Sequence, residues 1–326
     1  MNPITRRQAL AFGAGTLAAA MAPAAFAQAY DPSRPIRVIV PFPPGTGLDV
    51  DSRFFTARLS SVLGQTFVIE NKPGAAGTIG TDYAAKQPAD GYTLYMGSTS
   101  ALAYIPELYT KLNYKLSDFT AVSQLALLQG AMIANPQLPV RNAAELVALS
   151  RARPGTIRAA TQGVGSFAHM VGEWFVMATG ASIEFIPYNT SSPFASVLAG
   201  DTQLIFDALP ASMSNIQAGK LKALAVTGAQ RQPLVPEVPT YREQGIADFE
   251  PCTWFGLMAP ARTPAAIIRR IADACRQVAQ LPDAIERYQS LGGEPVGNTP
   301  EAFAAFIQSE QDKWIPVVRR TGIRLD

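Results

Sequence analysis

The sequence is poor in the residues on which most catalytic and metal sites depend. Among its 326 residues it has a single histidine, His169, and two cysteines, Cys252 and Cys275. It has no Gly-x-Ser-x-Gly elbow, no His-Glu-x-x-His and no Cys-x-x-Cys, so a serine triad, a zinc protease site and a thiol redox site lack their parts. Spacing alone leaves a Ser–Lys or paired-carboxylate enzyme open, but no motif indicates one. We therefore expect no enzymatic activity, no metal and no cofactor.

An excess of charge of one sign is also missing. The chain has 27 Lys and Arg residues against 25 Asp and Glu residues, and the basic residues form no block. Nucleic acids and anionic membranes are bound mainly through clustered positive charge, so the sequence predicts neither partner. After the N-terminal region, no apolar run approaches the ~18 residues that a membrane span needs.

The first residues resemble an export signal. Arg6 and Arg7 precede an Ala/Leu/Gly-rich run that ends in the small-residue pattern Ala25-Phe26-Ala27. We predict a signal peptide over residues 1–27, cleavage near Ala27 and a periplasmic protein. The paired arginines and the weakly hydrophobic run favour a twin-arginine signal, and a general secretory signal stays open. Cleavage would leave 25 basic and 25 acidic residues.

The cysteines lie far from the predicted cleavage site, so we expect no lipid anchor. An oxidising compartment permits a disulfide between Cys252 and Cys275, but their spacing cannot establish one. Two buried thiols are the alternative.

Strand-like and helical patterns alternate along the chain, which predicts an α/β fold with a mostly parallel sheet in each unit. The alternation restarts after Gln124, so two units of similar size are expected. The last three helical patterns each begin at a proline and need a sheet to cover, so we expect the chain to return to the first unit. The predicted lobes are residues 28–126 plus 252–326 and residues 127–251. Crossing segments near Ala126 and Cys252 would flank a ligand cleft.

The stretch VPFPPGTGLDV, residues 40–50, joins the first strand to the first helix. Its prolines have no N–H to donate, and Gly45 and Gly47 leave their backbone amides uncovered by side chains. Thr46 and Asp49 have the spacing of a capping box, which predicts a helix over Leu48 to Leu63. A helix start binds anions through free N–H groups without any arginine. A plain strand-to-helix turn is the alternative.

A second turn of this kind follows the strand TIRAAT, at Gln162 to Phe167, where Ser166 is the predicted N-cap of the next helix. Two such helix starts facing one cleft would favour anion binding. Asp207 ends the strand QLIF, where it either caps the Pro210 segment or lines the cleft as an acceptor. His169 is interpreted as a hydrogen-bonded structural residue and is left out of the site.

Aromatic residues supply the candidate apolar walls of the cleft, although core packing is the commoner fate of such side chains. The candidates are Tyr104, Phe167, Tyr188 and Trp254.

These segments together resemble the Bug family, the exported solute-binding proteins of tripartite tricarboxylate transporters. The resemblance covers nearly the whole predicted mature chain, in order: RPIRVIVPFPPGTGLDV, VIENKPGAAGTIG, DGYTLYMGS, GVGSFAHMVGEWF, FIPY, IFDALP, GKLKALAVTG, EVPTYREQG, TWFGLMAP and EPVGNTPEAF. It implies a periplasmic-binding-protein fold, whose two lobes close like a Venus flytrap on a small carboxylate. It also implies delivery to a membrane permease.

The resemblance also implies the ligand-binding positions. In the family, the loops matching Pro43 to Asp49 and Thr161 to Phe167 hold one carboxylate of the ligand, partly through water. Thr46 stands where the family usually has glycine. The predicted ligand-binding residues are Phe42, Pro44, Gly45, Thr46, Gly47, Ser98, Ser100, Thr161, Gly165, Ser166, Phe167, Tyr188 and Asp207.

We therefore expect a monomeric periplasmic solute-binding protein for a dicarboxylate, tricarboxylate or aromatic carboxylate. An exported carboxylate-sensing module that signals to a membrane receptor is the alternative, since the same fold serves both roles. The sequence does not identify the ligand.

Overall fold

A computed structural model describes residues 34–188, 192–247 and 249–325. The predicted signal peptide lies outside these ranges. The chain forms a mixed sheet with helices on its faces, which confirms the predicted α/β fold. The strands are β1 (Ile36–Val40), β2 (Phe67–Asn71), β3 (Thr93–Ser98), β4 (Phe119–Ala134), β5 (Arg158–Thr161), β6 (Glu184–Pro187), β7 (Leu204–Ala208), β8 (Lys222–Val226), β9 (Cys252–Pro260) and β10 (Gly293–Pro295).

Helices follow most of these strands, as expected for crossover connections. They are α1 (Gly47–Leu63), α2 (Thr78–Ala85), α3 (Ile105–Leu108), α4 (Ala143–Ala152), α5 (Phe167–Thr179), α6 (Pro193–Ala199), α7 (Met213–Gln217), α8 (Ala265–Ala279), α9 (Pro282–Ser290) and α10 (Pro300–Thr321).

The strand order β2-β1-β3-β9-β4-β7-β5-β6 joins both halves of the chain through the long strand β4. The outer pairs β1–β2, β1–β3, β5–β6 and β5–β7 are parallel, and β4 and β9 pair antiparallel with their neighbours. β4 pairs with β9 as far as Gln129 and with β7 from Gly130 onwards. The carboxyl ends of the parallel strands on both sides are therefore directed towards the middle of the sheet.

Strand β4 begins earlier than the sequence predicts. The pattern restarts after Gln124, but the strand already begins at Phe119 because the buried polar residues Ser123 and Gln124 find partners from a distant loop. Ser123 Oγ donates to the carbonyl of Asn298 over 2.8 Å, and the backbone N–H of Gln124 donates to Asn298 Oδ1 over 2.9 Å. The short strand β10, which pairs with β4, is also absent from the sequence prediction.

The first of the C-terminal helices packs against the first half of the sheet. Helix α8 buries Ile267, Ile271 and Cys275 in one core cluster with Val38 on β1 and Leu257 on β9. Pro282 and Pro300 lie in the first helical turn, whereas Pro264 is the N-cap of α8 rather than its first residue.

Helix α10 ties the end of the chain to both halves. Its Trp314 packs against Tyr104 and, from the second half, Trp174, with ring centroids 5.1 and 4.9 Å apart. Its Glu310 is 1% exposed and accepts a hydrogen bond of 3.0 Å from Trp254 Nε1. These contacts form a buried core beneath the region where the parallel strands end.

Cys252 and Cys275 are free thiols in the structure, Cys275 buried and Cys252 partly buried. Burial raises the pKa of the Cys275 thiol to about 12, so that thiol stays protonated at neutral pH. In the described ranges, no helix combines the length and apolar character needed to cross a membrane.

Candidate functional site

A cavity of about 280 Å³ lies where loops from both halves of the sheet meet. Loops that follow β1, β3 and β5 supply its walls, so it occupies the carboxyl edge of the parallel strands, where ligands of open α/β sheets bind. Its lining residues are Phe42, Ala76, Ser100, Tyr104, Ile105, Gln162, Gly165, Ser166 and Phe167. A larger crevice of about 490 Å³, lined by residues such as Gln129, Arg231 and Glu294, lies elsewhere, beside β10 and the loop after β8. The smaller cavity is lined by several residues that the sequence analysis assigned to the site, among them Ser100, Gly165 and Phe167.

The loop between β1 and α1 is held by Asp49. The carboxylate of Asp49 accepts from the backbone N–H of Gly45 over 2.9 Å, from Asn71 Nδ2 over 2.8 Å and from Arg53 over 3.0 Å. Asn71 also donates to the carbonyl of Phe42, which lines the cavity. Although burial opposes ionisation, hydrogen bonds from Arg53, Gly45 and Asn71 lower the pKa of Asp49 to about 2. Asp49 is therefore ionised at any physiological pH.

The predicted capping box at this loop is wrong. Thr46 is the N-cap residue of α1 but makes no side-chain cap, since its hydroxyl donates to the carbonyl of Pro43 over 2.8 Å. Asp49 accepts from Gly45 rather than from Thr46, so the N–H of Gly45 is occupied instead of free for a ligand. Among the described residues, the cavity is lined by Phe42 from this loop, and Pro44, Gly45, Thr46 and Gly47 lie beyond it along the chain.

The loop between β5 and α5 borders the cavity directly, through Gly165, Ser166 and Phe167. Ser166 is the N-cap of α5 and its hydroxyl accepts from the backbone N–H of His169 over 3.4 Å, as the sequence predicts. His169 in turn accepts the N–H of Gly165 at Nδ1 over 3.0 Å, which agrees with its interpretation as a hydrogen-bonded structural residue. Gly165 has φ +76° and a Cβ there would lie 2.9 Å from Leu325, so this position requires glycine.

Two further hydroxyl positions lie near the cavity. Ser98 ends β3 and its Oγ lies 3.1 Å from Ser100 Oγ, and Ser100 lines the cavity. Thr161 ends β5, is 1% exposed, and its hydroxyl accepts from the N–H of Gly163 over 3.4 Å. Thr161 thus supports the loop between β5 and α5 through this hydrogen bond.

The loop between β2 and α2 adds a wall that the sequence prediction missed. Ala76 lines the cavity, and both Ala75 and Ala76 have positive φ, 45° and 53°. Non-glycine residues pay roughly 1 kcal/mol or more for this conformation, which persists only where the surroundings impose it. Glycine also lets α2 approach the sheet, because a Cβ on Gly80 would lie 2.6 Å from the carbonyl of Lys72.

Asp207 lies at the end of β7 and is linked to the cavity through Gln162. Its Oδ2 accepts from Gln162 Nε2 over 3.0 Å and its Oδ1 accepts from its neighbour's backbone N–H over 2.7 Å. Asp207 is half-buried, and burial raises the pKa of its carboxyl group to about 6. Asp207 therefore exchanges a proton close to physiological pH.

The aromatic candidates divide into two groups. Phe167 and Tyr104 line the cavity. Tyr188 is half-buried, packs against a neighbouring core cluster and is not among the lining residues in the described ranges. The prediction for Trp254 is wrong, since it is fully buried and bonded to Glu310 beneath α10. Burial raises the pKa of Tyr104, whose hydroxyl lies near Ser100 but has no hydrogen bond of ordinary geometry within the described ranges.

The electrostatics of this cavity suit an anion held without a cationic side chain. Within the described ranges, none of its lining residues carries a charge. The N-terminus of α5 contributes a partial positive charge at Ser166 and Phe167, and first-turn amides have no intrahelical acceptors. The sequence prediction missed Ile105, which no turn or cap motif marks, and it left Gln162 out of the ligand-binding residues although Gln162 lies in the predicted turn.

Comparison with known proteins gives consistent results. A family model described as tripartite tricarboxylate transporter family receptor matches residues 52–323. Protein BugT of Bordetella pertussis is 39% identical over 297 residues, which cover 90% of this chain and 91% of BugT. A solved structure described as a periplasmic transporter is 37% identical with a TM-score of 0.80 and covers 91% of this chain and 100% of that chain. A protein of R. palustris, solved with adipate, is 33% identical with a TM-score of 0.79 and covers 90% of this chain and 99% of that chain.

Proposed function

The chain belongs to the tripartite tricarboxylate transporter receptor family, a family of periplasmic solute-binding proteins and not of enzymes, and on this premise we propose that it captures a small organic carboxylate for a membrane permease. The observation that carries the proposal is the cavity at Ser100, Gly165, Ser166 and Phe167. It combines a helix start, hydroxyl groups and apolar walls and has no charged lining residue.

A helix start and serine hydroxyls bind a carboxylate by donating hydrogen bonds, and ordered water extends their reach. The first turn of α5 and the hydroxyls of Ser98 and Ser100 provide such donors. From the loop before α1, Pro44, Gly45, Thr46 and Gly47 remain proposed contacts. Since the N–H of Gly45 is bonded to Asp49, we assign its contribution to loop shape and the donor role to the first-turn amides that follow it.

The size and walls of the cavity favour a short ligand with an apolar body. A volume of about 280 Å³ lies at the lower end of ligand pockets. Phe42, Tyr104 and Phe167 provide aromatic surface for a methylene chain or a ring. Thr161, Tyr188 and Asp207 are proposed as outer contacts. A dicarboxylate, a tricarboxylate or an aromatic carboxylate fits this description, and the relative solved with adipate supports the first of these.

Residues 28–126 with 252–326 and residues 127–251 are proposed as two lobes that close on the ligand. In support, β4 exchanges β9 for β7 between Gln129 and Gly130, and β9 begins at Cys252, directly opposite Gln129. The chain crosses between the proposed lobes at these two adjacent places. A ligand that binds the closed state more tightly shifts the population towards it.

In the proposed function, the signal peptide is cleaved near Ala27 and the protein acts as a monomer in the periplasm. It delivers its ligand to the permease subunits of the transporter. A thermal-shift screen of the mature protein against carboxylates, neutral amides and sugars tests the ligand class. A ligand at about 100 times its dissociation constant stabilises the fold by about 2.7 kcal/mol, so a true ligand raises Tm clearly. Stabilisation by sugars or amides and by no carboxylate would refute the assignment.

A further inference from the structure

Two loops at the candidate site are held by the same kind of hydrogen bond, from a glycine N–H to a side chain in the following helix. In the loop before α1, the N–H of Gly45 donates to the side chain of Asp49 over 2.9 Å. In the loop before α5, the N–H of Gly165 donates to His169 Nδ1 over 3.0 Å. In both cases a side chain in the first helical turn accepts from a glycine four residues earlier. Both glycines have positive φ, +82° and +76°.

We propose that His169 is the positioning residue of the α5 ligand loop and that its protonation releases this loop, so that the loop's geometry depends on pH. That the loop contacts a ligand rests on the proposed function. The hydrogen bond from Gly165 to His169 does not depend on the proposed function, so it can be tested in the ligand-free protein.

The observed bond defines the protonation state of the imidazole. Nδ1 accepts the N–H of Gly165, so it carries no proton, and the proton of the neutral ring is on Nε2. Nε2 lies 3.5 Å from Glu173 Oε1, one turn further along α5. The ring is 7% exposed and packs edge-on against Phe185 of β6, with centroids 5.2 Å apart. Packing and both neighbours therefore hold the ring in one orientation.

Protonation makes both ring nitrogens donors. Nδ1–H would then face the N–H of Gly165, and the bond that closes the loop would be replaced by a repulsive contact. The loop must therefore shift at Gly165 and Ser166, which line the cavity.

The surroundings of His169 contain one carboxylate that faces the ring. Glu173, from the same helix, is the acidic side chain within 4 Å of the imidazole in the described ranges. The element packed on the ring, β6, presents the uncharged Phe185. Asp207 of the nearby strand β7 is bonded to Gln162, and Trp314 is the residue of α10 that packs against α5.

The α1 loop should not share this pH dependence. Asp49 remains ionised and continues to accept from Gly45 throughout the range in which an imidazole titrates, because hydrogen bonds hold the pKa of Asp49 at about 2 despite burial. Gly45 is therefore an internal control for Gly165 in the same sample.

The experiment measures amide hydrogen exchange of Gly165 and Gly45 by NMR in the ligand-free protein, between about pH 5 and about pH 8. The same samples give the titration of His169 from its ring nitrogen signals, which are unambiguous because the chain has one histidine. We expect the protection factor of Gly165, corrected for intrinsic exchange, to fall about three- to tenfold as His169 takes up a proton. The protection factor of Gly45 should stay constant.

Two variants separate the bond from packing. His169→Asn places an amide oxygen close to the position of Nδ1, so Gly165 should stay protected without any titration. His169→Leu fills space without an acceptor, so Gly165 should lose protection about three- to tenfold at every pH.

Unchanged Gly165 protection as His169 titrates in the wild type would overturn the proposal, and this result does not depend on any variant folding. Wild-type protection in His169→Leu would overturn it as well. Adipate added to the same samples tests the proposed function separately. Failure to bind adipate with an intact pH response at Gly165 counts against adipate as the ligand and leaves the role of His169 established.

Discussion

At the residue scale, side chains that occupy backbone amides shape the candidate site. Asp49 and His169 each take the N–H of a loop glycine. These two amides are therefore not available as donors to a ligand. The available donors are the backbone N–H groups in the first turns of the helices that follow. The sequence shows where a helix starts, but it does not show which side chain of the first turn accepts a hydrogen bond from the preceding loop.

Thr46, which stands where the resembling family usually has glycine, allows a direct test of this view. Its hydroxyl proton is directed to the carbonyl of Pro43 and is not available to a carboxylate. We expect Thr46→Val to lose about 1 kcal/mol of unfolding free energy and to change carboxylate affinity by less than about twofold. Denaturant unfolding and calorimetric titration measure the two quantities. A tenfold loss of affinity would show that the hydroxyl contacts the ligand.

Asp207 provides a prediction of pH dependence. Burial raises the pKa of Asp207 from its ordinary value of 3.8 to about 6. A raised carboxyl pKa means that its contribution to stability is present below about pH 4 and is lost as pH rises to about 6. We expect Asp207→Asn to match the wild type at pH 4 and to be more stable by about 1–2 kcal/mol above pH 6. If the difference in unfolding free energy between Asp207→Asn and the wild type is the same at pH 4 and at pH 8, this prediction is wrong.

The residues that sequence reasoning misassigned share one cause. Trp254 was expected at the cleft, but its indole N–H is bonded to Glu310, far along the chain. Asp49 was expected to cap Thr46, but its position is set by Asn71 from β2 as well as by Arg53. Each has a partner that is distant in sequence, Glu310 for Trp254 and Asn71 for Asp49, and no local pattern contains these contacts.

At the element scale, helix N-caps were predictable because they are local. Ser166 accepts from the N–H of His169 over 3.4 Å, as expected, and Asn142 caps its helix in the same way by accepting from the N–H of Glu145 over 2.8 Å. Strand β4 was less predictable, since its buried polar residues Ser123 and Gln124 depend on the distant Asn298.

These two caps form a matched pair for a functional test. Ser166→Ala and Asn142→Ala each remove one N-cap, which costs about 1 kcal/mol of unfolding free energy. Ser166 lines the cavity, whereas Asn142 does not appear among the described lining residues. We expect both variants to be similarly destabilised, and Ser166→Ala alone to weaken carboxylate binding, by about tenfold. Equal affinities in the two variants would place the ligand away from the α5 start.

At the scale of the whole molecule, the proposed closure must turn about strands β4 and β9 while α10 stays in contact with both halves. Trp314 packs on Tyr104 and on Trp174, and Phe167 lies 6.1 Å from Trp314 between ring centroids. The proposed closure has to keep or rearrange these aromatic contacts. Helix order and sheet connection were predictable from the sequence, whereas this aromatic contact between the halves was not.

Small-angle scattering tests the closure. A saturating carboxylate should lower the radius of gyration of the mature protein, because the closed state binds the ligand more tightly. A non-binding sugar is the control. If calorimetry shows binding while the scattering curve stays unchanged, the two-lobe hinge is wrong even though the binding site is right.

We propose that the cavity recognises the carboxylate group of its ligand. A calorimetric titration tests this directly. The mature protein is titrated at pH 7 with the carboxylate that stabilises it most and, in parallel, with the neutral amide of the same skeleton. We expect saturable one-to-one binding of the carboxylate and an affinity for the amide that is at least about a hundredfold weaker, since two or more charge-assisted hydrogen bonds are weakened. Equal affinity for the amide, or binding of a sugar in place of any carboxylate, would contradict it.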